Sequence, residues 1–175
     1  IPAKVIGYDS VMDLALIKAE ITPEFILELG SSKDMKVGDK VNVIGAPLGL
    51  EGSISQGIIS ATDRRLFLQG TVFQIDAPVN SGNSGGPCID KDMKVQGVVF
   101  AQISQSQGLN FVIPIEHLKQ ELPFLYNGGE FQHIWCGAYG KTNKPGNKKN
   151  GLDVHYVMPG GTAAFSGIKA GDRII

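Results

Sequence analysis

Asp76-Ala77-Pro78-Val79-Asn80-Ser81-Gly82-Asn83-Ser84-Gly85-Gly86-Pro87 is the stretch that decides how this chain is read. Glycines on both sides of a serine let the backbone turn sharply, because they lack the Cβ that forbids most turns. The N–H groups of Gly82 and Ser84 can then converge beside the Ser84 hydroxyl. That places an oxyanion hole next to a nucleophile. The plainer reading of GNSGGP is a glycine-rich turn with an incidental serine. Gly82 to Gly86 also satisfies G-x-S-x-G, the strand–turn–helix elbow of α/β-hydrolases. Here Pro87 and a hairpin pattern follow where that elbow needs a helix, which argues against it.

The surroundings of this segment read as short strands and turns. Upstream, Val5 to Tyr8 is a short apolar piece and Asp13 to Lys18 reads as a strand. Residues 19–36 form a mixed connector. Asp39 to Gly45 is a strand with Val41 and Val43 on one face, followed by a Pro/Gly turn over Ala46 to Gly52. Ser55 to Ala61 and Val72 to Ile75 follow. Downstream, Cys88-Ile89 and Val95 to Ala101 flank a charged turn at Asp90 to Lys94, a hairpin signature. Leu109 to Ile113 is a further strand. Pro114 opens a predicted helix over Ile115 to Leu122, which Pro123 ends. Residues 127–130 read as a linker, and a second module starts near Phe131 and runs on to Ile175.

The chain has 175 residues, with 42% hydrophobic, 19% charged and 23 glycines. That is a folding composition, and with so little helical periodicity it favours strands joined by tight turns. A formal net charge of −1 gives no reason to expect nucleic acid or an anionic membrane surface as a partner. No apolar run approaches the ~20 residues of a membrane-spanning helix. The basic stretch Lys141 to Lys149 is rich in Gly, Asn and Pro and reads as a solvated loop. Cys88 and Cys136 lie in different modules and read as two free thiols, the first of them buried.

The serine segment closely resembles the nucleophile loop of chymotrypsin-fold proteases, and the resemblance extends along the chain. Asp13-Leu14-Ala15-Leu16-Ile17 is similar to the strand that carries the catalytic aspartate. Val37-Gly38-Asp39, Ile44 to Gly49, Ser55 to Ser60 and Asn110 to Pro114 resemble, in order and spacing, the second barrel of HtrA/Deg proteases. In the second module, Trp135-Cys136-Gly137-Ala138 resembles the carboxylate-binding loop of PDZ domains. Gly151 to Val157, Pro159 to Ala164 and Gly167 to Asp172 continue that pattern.

The resemblance implies an all-β, trypsin-like double-barrel fold. Residues 1–126 would hold the last strand of the first barrel and all of the second. Residues 131–175 would be the N-terminal part of a PDZ domain. It implies Ser84 as nucleophile, Asp13 as the triad aspartate, and Gly82 and Ser84 as oxyanion donors. Val79, Asn83, Ala101, Gln102, Ile103 and Ser104 would bind substrate, and Trp135 to Ala138 would bind peptide. Chain order in this family is His, Asp, Ser, so the histidine is expected N-terminal to Asp13; His117, His133 and His155 all lie after it. Asn83 stands where trypsin-type zymogens carry the aspartate that pairs with a freed Ile N-terminus, so Ile1 is not expected to be an activated terminus; Pro78 stands where digestive trypsins carry the aspartate of the specificity pocket, so a Lys/Arg-selective pocket is not expected.

The implied activity is ATP-independent endoproteolysis of unfolded or damaged proteins in a cell-envelope compartment such as the periplasm. Neither metal nor organic cofactor is implied. C-terminal peptides at the PDZ module and a homotrimer or higher homo-oligomer are the implied partners. The alternative is an inactive, protease-like scaffold that only binds peptides.

Overall fold

The first unit, Ile1–Phe131, starts with a hairpin in which β1 (Ala3–Asp9) pairs antiparallel with β2 (Leu14–Ala19). The structure is a computed structural model and describes residues 1–50, 52–66, 70–102, 109–142 and 151–175. Six further strands follow: β3 (Lys40–Gly45), β4 (Ser53–Arg64), β5 (Val72–Ile75), β6 (Pro87–Ile89), β7 (Val95–Gln102) and β8 (Asn110–Pro114). They close into a barrel of order β3-β4-β5-β8-β7-β6, with β6 returning to pair with β3 at Asn42↔Ile89 and Val43↔Cys88. Closure removes the unpaired edges that would otherwise recruit other strands.

Side chains alternate along each strand, so every second apolar residue points into the barrel. Val41, Val43, Ile59, Phe73, Ile75, Ala77, Val79, Cys88, Val99 and Val112 form one buried cluster there. Each aliphatic side chain of that size stabilises the fold by about 1.5–3 kcal/mol relative to exposure. The apolar residues that alternate outward on β7 and β8, Val98, Phe100 and Ile113, pack instead against Met12 and Leu14 of the first hairpin. This second cluster holds the hairpin to the barrel wall. The connector between β2 and β3 lies along β7. Val95 N–H donates to Glu28 O and Gly30 N–H to Val95 O, both at 2.8 Å.

Two expectations from the sequence are corrected in the segment after the barrel. The helix α1 spans Ile115–Leu125 and keeps Pro123 inside it. Proline costs the bond to the carbonyl four residues back, but it falls in the last turn, where little helix remains to be disrupted. Leu125, 1% exposed, is buried, and its backbone lies so close to Gly7 of β1 that a Cβ there would sit 2.4 Å from the Leu125 carbonyl oxygen. That packing holds the final turn in place. Residues 127–130 are not a plain linker: Gly129–Glu130 form β9, parallel to β1 with Gly7↔Gly129 and Tyr8↔Glu130. The outer edge of β1 carries backbone groups that need partners, and β9 supplies them. The first sheet therefore has the order β2-β1-β9, with two strands, not one, ahead of the barrel.

The second unit, Gln132–Ile175, is a three-stranded sheet of β10 (Ala138–Thr142), β11 (Leu152–Val157) and β12 (Arg173–Ile174), with a short helix α2 (Thr162–Phe165). Asp153 and Arg173, directly opposite each other on β11 and β12, form an ion pair. Of the basic stretch Lys141 to Lys149, residues 143–149 lie outside the described residues.

Candidate active site

The segment that leaves β5 is pinned at three successive residues. The Asp76 carboxylate accepts from Ile58 N–H at 2.7 Å. The Ala77 carbonyl accepts from Asn110 Nδ2 at 2.7 Å, and the Pro78 carbonyl from Ser55 Oγ at 2.6 Å. Two turns follow, closed by Asn83 N–H to Asn80 O at 3.0 Å and Gly86 N–H to Asn83 O at 2.9 Å. Gly82 has φ of 104°, a conformation open to glycine and strained for other residues.

The loop hangs between two barrel strands. Ala46 N–H donates to Gly82 O at 3.1 Å, Gly85 N–H to Val99 O at 2.7 Å, and Val99 N–H to Gly86 O at 3.0 Å. The amides of Asn83, Gly85 and Gly86 are thus engaged, whereas those of Gly82 and Ser84 donate to no backbone carbonyl among the described residues. Two unspent donors on either side of an anchored residue, next to an exposed serine hydroxyl, are what stabilisation of a developing oxyanion requires.

Asp13 sits in the turn between β1 and β2 with φ of 56°, one of two non-glycine residues with positive φ among those described. Such a conformation costs about 1–2 kcal/mol for an L-residue and persists only where its surroundings impose it. They do so here from both sides. The Asp9 carboxylate, 1% exposed, accepts from Val11 N–H at 2.8 Å and Met12 N–H at 3.1 Å, which shapes the turn. Met12 and Leu14 are buried against Ile113, with Val98 and Phe100 beside them. Asp13 itself is exposed between these two anchors. The same stretch of β7 therefore receives both loops: Val99 bonds Gly85 and Gly86, and its neighbours Val98 and Phe100 pack against the flanks of Asp13. No hydrogen bond joins Asp13 to Ser84 among the described residues.

Other nucleophile and base candidates are engaged elsewhere. Burial, with a smaller contribution from the Asp90 carboxylate, pushes the Cys88 thiol up to about 12, so it stays protonated and inert at neutral pH. His117, on α1, holds its Nε2 3.2 Å from the Thr71 carbonyl. His133 and His155 belong to the second unit. Among the described residues no group of three or more His, Cys, Asp or Glu is placed to hold a metal ion.

The remaining substrate-binding candidates divide. Val79 is buried in the barrel core cluster. Asn83 turns its side chain inward and is 4% exposed, so its backbone alone is left to meet a substrate. Ala101 and Gln102 end β7, paired with Phe111 and Asn110. Ile103 and Ser104 lie outside the described residues. Sequence reasoning missed the supporting residues Asp9, Ser55, Asp76 and Asn110. Of these, Asp9 carried a readable signal, since an aspartate opening a tight turn accepts from amides two and three residues on.

In the second unit, Ala163 N–H donates to Cys136 O and Met158 N–H to Gly137 O, both at 2.8 Å. All peptides described are trans, so the N–H of each linkage points opposite its C=O. The amides of Gly137 and Ala138 therefore each face away from the donor that holds the carbonyl of their own linkage. Trp135 is half exposed, and its Nε1 donates to the Tyr139 hydroxyl at 3.2 Å. β10 pairs with β11 along one edge and with no other described strand along the other.

Comparison with known proteins agrees with this architecture. Residues 1–98 match the model of the trypsin-like peptidase domain. The chain is 34% identical over 190 residues to a probable periplasmic serine endoprotease DegP-like of Halomonas elongata, covering 99% of this chain and 39% of that protein. It is 33% identical over 193 residues to the putative serine protease HhoB of a Synechocystis species, covering 98% of this chain and 46% of that one. Among solved structures, the HtrA-type protease AlgW with tripeptide superposes with a TM-score of 0.80 at 30% identity, over 98% of this chain and 62% of that chain. The chain thus spans less than half the length of these curated relatives. It belongs to the trypsin-like peptidase family, among the HtrA/DegP serine proteases.

Proposed function

We propose that this chain carries the nucleophile and the orienting aspartate of a serine endopeptidase. The observation that carries the proposal is the pair of unspent amides, Gly82 and Ser84, around the exposed Ser84 hydroxyl. Ser84 Oγ attacks the scissile carbonyl carbon as a histidine takes its proton. The carbonyl oxygen becomes an oxyanion that accepts from Gly82 N–H and Ser84 N–H. Collapse expels the amine, which takes the proton back from the imidazolium, and water then hydrolyses the acyl-enzyme by the same steps. Asp13 orients the histidine and stabilises its charged form. In the family's chain order that histidine precedes Asp13, which agrees with the other engagement of His117.

Substrates are proposed to be unfolded or damaged proteins, and the setting the periplasm or cell envelope, the latter in line with the name of the Halomonas relative. An aliphatic side chain before the scissile bond is favoured, because Pro78 offers no carboxylate where a Lys/Arg-selective pocket needs one. Residues 131–175 are read as part of a PDZ domain. The amides of Gly137 and Ala138 would hold a peptide's terminal carboxylate while the peptide adds to the open edge of β10. The full-length protein is proposed to work as a homo-oligomer.

The test is casein cleavage by the full-length protein, by its Ser84→Ala variant and by residues 1–175 alone. Cleavage by the full-length protein that Ser84→Ala abolishes, with residues 1–175 inactive, is the expected pattern. A full-length protein that binds peptides but cleaves nothing would establish the scaffold reading. Parent-level activity in residues 1–175 would make one of the three downstream histidines the base.

A further inference from the structure

Three successive residues at the end of β3 form the bed on which the serine loop lies. Ala46 N–H donates to Gly82 O, and a Cβ on Gly86 would stand 2.3 Å from the Ile44 carbonyl oxygen. Between them, a Cβ on Gly45 would stand 2.3 Å from Asn83 Oδ1, 3.0 Å from its Cγ and 2.9 Å from its Cα. The Asn83 carboxamide occupies the slot that Gly45 leaves by having no side chain. Asn83 is 4% exposed, yet its Oδ1 finds no hydrogen-bond partner among the described residues. A buried, unpaired oxygen is a net cost to folding that an apolar side chain would avoid. Stability therefore does not account for an asparagine here.

We infer that Asn83 is a positioning residue, wedged against Gly45 so that the peptide plane carrying the Ser84 N–H, one of the two oxyanion donors, is held in place. The inference rests on the reading of Ser84 as nucleophile. The linkage before Asn83 carries the Gly82 carbonyl, fixed by Ala46 N–H. The linkage after it carries the Ser84 N–H, which points opposite the Asn83 carbonyl that Gly86 N–H holds. Rotation about either bond to the Asn83 Cα swings one plane relative to the other, and a locked side chain at that Cα prevents it. Substrate is untouched by the carboxamide itself.

The experiment uses the full-length protein and the variants Asn83→Ala and Gly45→Ala. It reads kcat and KM on a peptide substrate, affinity for a peptide boronate whose tetrahedral adduct places an oxygen between the donors, and thermal unfolding. Misplacing catalytic groups by about an ångström costs on the order of 100-fold in rate. Asn83→Ala is therefore expected to lower kcat and boronate affinity roughly 10–100-fold, with KM little changed and the melting temperature unchanged or higher. Gly45→Ala is expected to lower kcat by driving the carboxamide out. An unchanged kcat in Asn83→Ala overturns the inference. So does a rise in KM at constant kcat, which would make Asn83 a substrate contact. Asn83→Ala only removes atoms, so its kinetics decide the matter even if Gly45→Ala does not fold. Full activity in Ser84→Ala would instead refute the nucleophile reading underneath.

Discussion

Replacing Asp9 by alanine tests whether a buried carboxylate, four residues before the candidate triad aspartate, is what shapes the turn presenting it. Asp9 accepts two amides, from Val11 at 2.8 Å and Met12 at 3.1 Å, and is itself 1% exposed. Hydrogen bonds to a charged group contribute about 1.5–3 kcal/mol each, and an amide left buried without a partner loses its hydration as well. The Met12 amide is buried, and the Val11 amide is partly open and recovers some of its loss from water. The sum is a destabilisation of about 2–4 kcal/mol. For a unit of this size, 3 kcal/mol lowers the melting temperature by roughly 10 °C. Both amides donate to the same oxygen, Oδ1, so Asp9→Asn can keep both bonds and should lose only their charge assistance, a smaller destabilisation than Asp9→Ala. The consequence for function is larger than that for folding. Without the Asp9 bonds only the burial of Met12 and Leu14 still constrains Asp13 to φ of 56°, so the candidate triad aspartate is held less firmly. Thermal unfolding of residues 1–175 gives the first number, and kcat of the full-length variant gives the second. A melting temperature within 2 °C of the parent, or a destabilised variant with unchanged kcat, would refute the reasoning.

Other substitutions separate the roles of neighbouring groups. Asp13→Asn should leave stability within ~0.5 kcal/mol, since asparagine tolerates the left-handed region, yet lower kcat of the full-length protein on the order of 10⁴-fold; a smaller loss would remove Asp13 from the triad. Titration of native residues 1–175 with a thiol reagent at pH 8 should count one reactive cysteine, Cys136, and a second only in denaturant, because Cys88 is buried and pushed up to about 12; two fast thiols in the native state would contradict the barrel core described here. Burial alone would raise Asp90, but hydrogen bonds from the backbone of Lys94, the side chain of Gln96 and the backbone of Asp92 outweigh it and lower the carboxyl below its usual range. Its contribution is therefore present above the unfolded carboxylate value and lost as pH falls through the folded one, so Asp90→Ala should flatten the acid limb of a stability–pH curve; an unaltered limb would refute that. Calorimetry on the full-length protein should show binding of peptides with a free apolar C-terminal residue and weaker binding of amidated ones; equal affinity would displace the carboxylate loop from Trp135 to Ala138.

The barrel was legible because its strands alternate. Val41 and Val43 carry the period of two that places one face in a core, whereas Val98 to Ala101 is an unbroken apolar run because both faces of β7 are covered. The tertiary overrides lay where a local signal met a distant partner. Pro123 reads as a helix stop from its missing amide, but Leu125 gains a buried site against β1, and that contact lies far away in sequence. Likewise Gly129 and Glu130 have no strand character of their own. They become one because β1 has an edge to fill.

The same contrast explains which parts of the candidate site could be read. The candidate nucleophile loop announces itself, since the conformation its proposed role needs is one only glycines adopt cheaply, and that requirement is written within a few residues of Ser84. The groups that hold the loop carry no such mark. Ser55, Asn110 and Gly45 are ordinary strand residues whose importance comes from what lies across the barrel from them: the Pro78 carbonyl, the Ala77 carbonyl and the Asn83 carboxamide. Val79 and Asn83 show the limit in the other direction. The family resemblance implies that both meet substrate; in the structure the Val79 side chain lies in the barrel core cluster and the Asn83 carboxamide in the slot at Gly45. In a loop this tightly turned, successive side chains leave in different directions, and only the barrel beneath decides which of them reach solvent. The residues that position chemistry in this fold should therefore be sought on the strands facing the loop, where a substitution alters rate through geometry and leaves the reacting groups themselves intact.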